Sequence, residues 1–384
     1  MTSSPTITPS SSVTAHQALE FLRIDDPLTI EAWRRSAQII ATGGYQNQVT
    51  FTTNIFIPLT RLCRNACSYC GYSRPSVPKG KEYLSPNEIQ KIFDVAKYNS
   101  VSEVLITMGE KPESKHPAAR RWLSEYGFES TIEYTYNVAE KALNCGLLAH
   151  VNAGTLTFDE LSYLRKVTAS MGLMLETISS RLTQKGMPHS ISPDKHPERR
   201  MRTIINAGKL KIPFTSGILI GIGETFEEIV ESLLALKNAH SRYGHLQEVI
   251  IQNFRPHEES IMANSAPPSL DLMEKIIILA RHILPIEISI QIPPNLINGN
   301  ESRFIKAGIS DWGGISSITP DYINPSHSWP QISQLADIIE KQGYFLCERL
   351  PVYPRYINLE WLSPRIYNLI TARKLKTKDG FRRR

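Results

Sequence analysis

Residues 49–71 read VTFTTNIFIPLTRLCRNACSYCG, a β-branched run that stops in a loop with three cysteines in eight residues. Val, Thr, Phe and Ile recur from Val49 to Ile57, and such side chains fit a pleated, half-buried surface, so this run predicts a strand. The strand feeds directly into Leu62-Cys63-Arg64-Asn65-Ala66-Cys67-Ser68-Tyr69-Cys70-Gly71. The elements downstream of this strand decide the kind of sheet it joins.

Beyond the loop, Ser85-Pro86-Asn87-Glu88 supplies an N-cap, a proline at the first helical position and a glutamate at the third. Ile89, Ile92, Phe93 and Ala96 then share one helical face. A second strand is predicted at Val104 to Thr107, a helix from about Thr131 to Gly146, and a third strand at Leu147 to Val151. Thr157-Phe158-Asp159-Glu160 is another capping box, and Leu173 to Leu175 reads as strand four. A helix holding Arg199 to Asn206 precedes strand five, Phe214 to Ile220, and Thr225-Phe226-Glu227-Glu228 caps the next helix. Strand six is Val249 to Gln252, and Ser269 opens a helix with Leu272, Ile276, Leu279 and Ile283 on one face. Ile288 to Ile292 and Ile309 to Trp312 are strands seven and eight. A last helix starts within Ser328 to Gln331 and stops at Gly343.

Eight strand–helix alternations predict an α/β fold, a parallel (β/α)8 TIM-type barrel with N- and C-terminal extensions. Such a barrel takes ~250 residues, and an open doubly wound sheet is the alternative. The expected division is a disordered Ser/Thr/Pro-rich leader at 1–13, a helical lead-in at 14–48, the barrel at 49–343, and a C-terminal extension with a basic tail at 344–384. Barrel active sites sit at the C-terminal ends of the strands. The cysteine loop falls at such an end.

Bulk composition excludes several classes. The 384 residues are 41% hydrophobic and 21% charged, as in ordinary globular proteins. No apolar run reaches the ~18 residues of a membrane span. The N-terminus lacks the basic start and apolar core of a secretory signal, so a cytoplasmic protein is expected. A net charge of +6 is modest. Part of it lies in the tail, from Arg373 and Lys374 to Arg384, read as a solvated terminus rather than a nucleic-acid contact.

Five cysteines in a large chain without an export signal should be reduced thiols. Cys145 and Cys347 stand alone. Cys63, Cys67 and Cys70, spaced C-x3-C-x2-C, can wrap one compact cluster. A 4Fe–4S cluster normally takes four cysteines, and the loop offers three, with His116 the next histidine. One iron is then left open, as metals that do chemistry require. Structural zinc needs a fourth ligand that the loop does not provide.

The loop resembles the signature of the radical S-adenosylmethionine superfamily, including the aromatic Tyr69 before the third cysteine. The resemblance implies a 4Fe–4S cluster whose open iron chelates S-adenosyl-L-methionine. Reductive cleavage then gives methionine and a 5′-deoxyadenosyl radical. It counts Tyr69 among the cofactor-binding residues. In Met108-Gly109-Glu110-Lys111-Pro112 it implies a turn in which Gly109 lets backbone approach and Glu110 accepts from the methionine ammonium; Met108 replaces the family's first glycine. Glu176, after strand four, would hold the ribose diol. Arg200, among Arg199, Arg200 and Arg202, would pair the methionine carboxylate. Gly217, Leu219, Gly221 and Glu224 match the family's glycine-rich fifth strand end, with Gly221 packing on adenine or cluster. Gln252 and Asn253 would read adenine or a substrate uracil.

A narrower resemblance, over roughly residues 48–345, is to the CofG-type radical subunits of deazaflavin synthases. It rests on Thr60 to Arg64, Thr107 to Glu113, Phe214 to Thr225, Gln247 to Pro256, Ile292 to Leu296 and Gly308 to Gly314. It implies a carbon–nitrogen lyase acting on a 5-amino-5-(4-hydroxybenzyl)-6-(ribitylimino)uracil-type adduct. Hydrogen abstraction, ring closure and loss of ammonia would complete the chromophore. A separate CofH-type radical subunit would make the adduct, and a low-potential donor would supply the electron. Asp311 would be a catalytic proton acceptor or ribityl ligand, and Trp312 would line the pocket. No nucleic acid and no membrane are expected as partners. A biotin- or menaquinone-type radical enzyme, or an iron–sulfur carrier or sensor, are the other readings.

Overall fold

The computed structural model describes residues 13–297, 299–374 and 382–383. The leader up to residue 12 and most of the basic tail lie outside the described residues. Eight strands alternate with helices: β1 (Gln48–Thr60), β2 (Glu103–Met108), β3 (Ala149–Asn152), β4 (Ser170–Gly172), β5 (Phe214–Ile220), β6 (Leu246–Asn253), β7 (Ser289–Gln291) and β8 (Asp311–Ile315). Each pairs in parallel with the next, and β8 pairs back onto β1 with Thr50 opposite Asp311. The sheet is therefore closed, which removes the open doubly wound alternative. The three expected capping boxes, at Ser85, Thr157 and Thr225, each form in both directions. They start helices Pro86–Tyr98, Phe158–Leu164 and Phe226–Tyr243, which cover the outside of the barrel.

Two strands lie away from their expected positions. Strand four occupies 170–172, not 173–175, because Glu176 takes a left-handed backbone (φ 65°) that breaks the extended ladder. Isolated bonds continue it, Leu173 N–H to Thr215 O at 3.0 Å, Glu176 N–H to Gly217 O at 2.9 Å and Leu219 N–H to Glu176 O at 3.0 Å. Strand eight begins at Asp311, not Ile309, since Gly308 (φ 103°) must first turn the chain out of helix Glu301–Lys306.

The lead-in forms helices Ala15–Arg23 and Pro27–Tyr45, and Phe21 stacks on Trp33 with ring centroids 4.3 Å apart. The C-terminal extension crosses the barrel's N-terminal end. Its first piece, β9 (Phe345–Glu348), runs parallel to the start of β1. Val352, Tyr356, Leu362, Ile366 and Ile370 then pack on Leu143, Leu148 and Ala169, forming a second core beneath the barrel. With that end sealed, the lumen opens at the C-terminal ends of the strands. No helix among the described residues is long and apolar enough to cross a membrane.

Candidate active site

The loop leaving β1 is held from three sides. Arg64 N–H donates to Glu110 O at 2.9 Å, Ser68 N–H to Pro188 O at 3.0 Å, and Ala66 N–H to Ser192 Oγ at 3.1 Å. Arg64 is also ion-paired to the buried Asp194. All three thiols are free and line one cavity of about 390 Å³ in the mouth of the barrel. Burial pushes the Cys67 thiol up to about 12 and raises that of Cys63. A thiolate there needs a nearby cation, which a bound iron provides. His116 does not supply a fourth ligand; its Nε2 lies 2.9 Å from Cys63 O.

The turn after β2 packs directly on this loop. A Cβ at Gly109 would lie 1.9 Å from Leu62 O and 2.9 Å from Cys63 Cβ, so only glycine fits. Glu110 N–H donates to Cys63 Sγ at 3.1 Å. The Glu110 carboxylate is buried, accepting from Thr155 N–H at 2.6 Å and from Asn65 Nδ2 at 3.0 Å. Burial raises its pKa, against the pull of Arg200.

Glu176 is the electrostatic hub. Burial alone would push its carboxyl up, but Lys195, Arg200 and His189 outweigh it and hold the group well below the usual carboxylate range. Oε1 is paired with Lys195 and lies 3.7 Å from Arg200 Nη2. Oε2 accepts from the Tyr69 hydroxyl and lies 3.3 Å from His189 Nε2. Arg200 donates its Nε–H to Met174 O at 2.6 Å, which fixes the guanidinium across the cavity wall. Two carboxylates, two cations and an iron-ready loop thus face one space. That set can receive a zwitterionic amino acid and a diol beside a metal cluster.

Of the expected site residues, Cys63, Cys67, Cys70, Tyr69, Gly109, Glu110, Glu176, Arg200 and Gln252 line the cavity, as does Trp312. Three do not behave as expected. Gly221 is not among the residues lining the cavity: its φ of 100° and the 2.7 Å from a would-be Cβ to Pro268 explain the glycine, while Glu224 accepts from Gly221 and Ile222 N–H to shape the turn. Asn253 donates to Leu296 O at 3.1 Å. Asp311 is corrected from a catalytic acceptor to a structural anchor. It starts β8, at the sealed end of the barrel, and is fully buried. Its oxygens already accept from Arg349, Tyr353, Thr50 and Gly313 N–H, leaving no open lone-pair direction for substrate.

Sequence reasoning missed Lys195, His189 and Arg349. Lys195 and His189 lie in the irregular stretch between β4 and helix Pro197–Lys209, where no periodicity assigns a face. Among the described residues, no group of three His, Cys, Asp or Glu is arranged around one metal ion. A single ion needs its donors within about 2.3 Å of one point, whereas a cubane takes thiolates on separate corners.

Residues 57–236 match the Radical SAM superfamily. The 7,8-didemethyl-8-hydroxy-5-deazariboflavin synthase of Methanocaldococcus jannaschii is 48% identical over 325 residues, covering 84% of this chain and 88% of that one. The FO synthase of Nocardia farcinica is 40% identical over 85% of this chain, but the match spans only 39% of its own length. Among solved structures, methylornithine synthase superposes with a TM-score of 0.68 at 18% identity, over 87% of this chain and 94% of that one. The last likeness is one of fold.

Proposed function

The chain belongs to the radical S-adenosylmethionine superfamily and, within it, to the 7,8-didemethyl-8-hydroxy-5-deazariboflavin synthase family, and from that premise we propose that it completes the deazaflavin chromophore from a hydroxybenzyl–ribitylaminouracil adduct by hydrogen abstraction, ring closure and release of ammonia. The observation that carries this reading is the meeting of Cys63, Cys67 and Cys70 with Glu110, Glu176 and Arg200 around one barrel-mouth cavity. When bound, a 4Fe–4S cluster with S-adenosylmethionine supplies a reducing electron and the radical that takes hydrogen from substrate.

The chain's own residues bind, orient and exclude. Cys63, Cys67 and Cys70 would hold three irons of the cluster, and Gly109 keeps the neighbouring backbone close enough for Glu110 N–H to bond Cys63 Sγ. Glu110 would accept from the methionine ammonium, Arg200 would pair its carboxylate, and Glu176, held in place by Tyr69 and Lys195, would take the ribose hydroxyls. Gln252 presents an amide at the cavity wall. The closed barrel keeps water and stray hydrogen donors from the reacting atoms.

The adduct is supplied, in this reading, by a separate CofH-type radical subunit, with the electron coming from a low-potential donor. The length of the Nocardia FO synthase, well beyond the matched part, supports a second module in that protein. A reducing, cytoplasmic setting belongs to the proposal because the cluster thiols must stay unpaired.

The test is anaerobic reconstitution with iron, sulfide, reductant, S-adenosylmethionine and the partner's product. The expected result is 5′-deoxyadenosine together with deazaflavin fluorescence. Formation of 5′-deoxyadenosine without deazaflavin sinks the substrate assignment and favours another radical pathway.

A further inference from the structure

The lumen beneath the cysteine loop is filled in an unusual way. Barrels of this kind are ordinarily layered inside with Val, Ile and Leu. Here the cavity wall descends through Thr52 and Asn54 of β1, Glu103 of β2, His150 and Asn152 of β3, and Gln291 of β7. Glycines make room for these polar ends. A Cβ at Gly314 would meet Asn54 Nδ2 at 2.1 Å, one at Gly313 would meet Gln291 Nε2 at 1.9 Å, and one at Gly172 would meet Asn152 Oδ1 at 2.3 Å.

Several of these groups lack partners. Thr52 Oγ1, Asn54 Oδ1 and the neighbouring Trp312 Nε1 are buried with no hydrogen-bond partner. Such a group is costly to bury unless something else satisfies it. The lumen's charges point the same way. Arg349 directs Nε to Asp311, Nη1 to Leu350 O, and Nη2 to both Asp311 and Glu248. Glu103 is a third carboxyl, hydrogen-bonded to the Asn54 side chain rather than to Arg349. Burial keeps His150 neutral, with a pKa down to about 4. Among the described residues, the lower lumen thus offers hydroxyl, amide and carboxyl groups and no unengaged cation.

We propose that this lower lumen is a subsite for an uncharged polyhydroxylated chain of the substrate, whose hydroxyls bond Thr52, Asn54, Glu103 and Gln291. The inference rests on the deazaflavin-forming reading, in which the pyrimidine carries a ribityl tail. Hydroxyls both donate and accept, so they match a mixed wall of this kind. A phosphorylated chain would meet carboxyls and no free cation. The depth suits the assignment: from Glu103 to Met108, β2 spans about 16 Å at ~3.3 Å per residue, room for a tail below and a ring system at the mouth.

The test is binding of three fluorescent probes to the anaerobically reconstituted holoenzyme. They are 7,8-didemethyl-8-hydroxy-5-deazariboflavin, its analogue with N10-methyl in place of ribityl, and its ribityl 5′-phosphate ester. The ribityl compound should bind at least tenfold tighter than either of the others. Thr52→Val and Asn54→Leu should each remove most of that advantage, and Thr52→Ser should keep it. Equal affinity for the ribityl and N10-methyl compounds overturns this inference alone, as does an equal weakening of both by Thr52→Val. If a variant fails to fold, the wild-type comparison of the probes still decides. If no probe binds while S-adenosylmethionine is cleaved, the deazaflavin reading falls and this subsite with it.

Discussion

Tyr69 donates its hydroxyl hydrogen to Glu176 Oε2, and that bond ties the cysteine loop after β1 to the segment that follows β4. The two residues are 107 positions apart in the chain. Their contact makes the cluster loop and the proposed ribose site one mechanical unit, with Lys195 and His189 closing the network from the following segment.

Replacing Glu176 by glutamine keeps the shape of this hub and removes its charge. Losing a charge-assisted hydrogen bond costs roughly 1.5–3 kcal/mol, about ten- to a hundredfold in affinity. Equilibrium dialysis of S-adenosylmethionine against reconstituted protein should show that loss. Unchanged binding would return Glu176 to a purely structural role.

Cys63→Ala, Cys67→Ala and Cys70→Ala should each strip the cluster and abolish 5′-deoxyadenosine formation. The loop sits at the mouth of the barrel, away from the packed core, so the thermal midpoint of the metal-free protein should move little. Iron and sulfide analysis beside a thermal melt checks both halves. A triple variant that still yields 5′-deoxyadenosine would overturn the whole reading.

Gly109→Ala puts a methyl group 1.9 Å from Leu62 O, and backbone on one side or the other must shift. The cysteine loop is the side that gives in this expectation, since β2 is locked between β1 and β3. Iron loading after reconstitution should fall severalfold while the far-ultraviolet spectrum is retained. Full loading would show that the loop tolerates the displacement.

Asp311→Ala should act on stability. Removing one partner of a buried ion pair costs about 3–5 kcal/mol, and here Arg349 keeps Glu248 alone as its carboxylate partner while Tyr353 and Thr50 lose Asp311 as an acceptor. Urea unfolding should register the loss, and adding Arg349→Met should not relieve it, because Glu248 then loses its buried cation. An Asp311→Ala protein as stable as wild type would reopen a role for Asp311 at the substrate.

Glu103 predicts a pH dependence. Burial, opposed by Arg349 and reinforced by Glu248 and Asp311, moves its pKa from 4.5 to about 7. The native state therefore holds a proton that the unfolded chain releases. Glu103 is neutral in both states well below pH 4.5. Between pH 4.5 and about 7 its contribution to stability falls as pH rises, and above that it levels off at a loss of at most ~3 kcal/mol. Glu103→Gln should flatten this part of the stability–pH curve. If wild type and variant run parallel from about pH 5 to about pH 8, Glu103 is not the group responsible.

The parts of this protein legible in its sequence are those specified by neighbours in the chain. Capping boxes at Ser85, Thr157 and Thr225 act within one helical turn, and the runs at 49–57 and 214–220 alternate or stay apolar over a single strand, so local pattern locates these elements. The three cysteines lie within eight residues, and their spacing points to a cluster without any knowledge of the fold. Strand four lies ahead of its locally predicted place because the left-handed turn at Glu176 is stabilised by Lys195, Arg200 and Tyr69, all distant or irregularly placed in sequence. Asp311 stands beside Trp312 at an expected strand end, and only the crossing of the C-terminal segment brings Arg349 and Tyr353 onto it. The polar lumen is equally hidden: Asn54, Glu103 and Gln291 are each ordinary in sequence, and they meet only because the barrel closes around them. Charges and hydrogen bonds act through space, so a side chain's partners, and with them its chemistry, were decided by tertiary structure wherever those partners came from other strands.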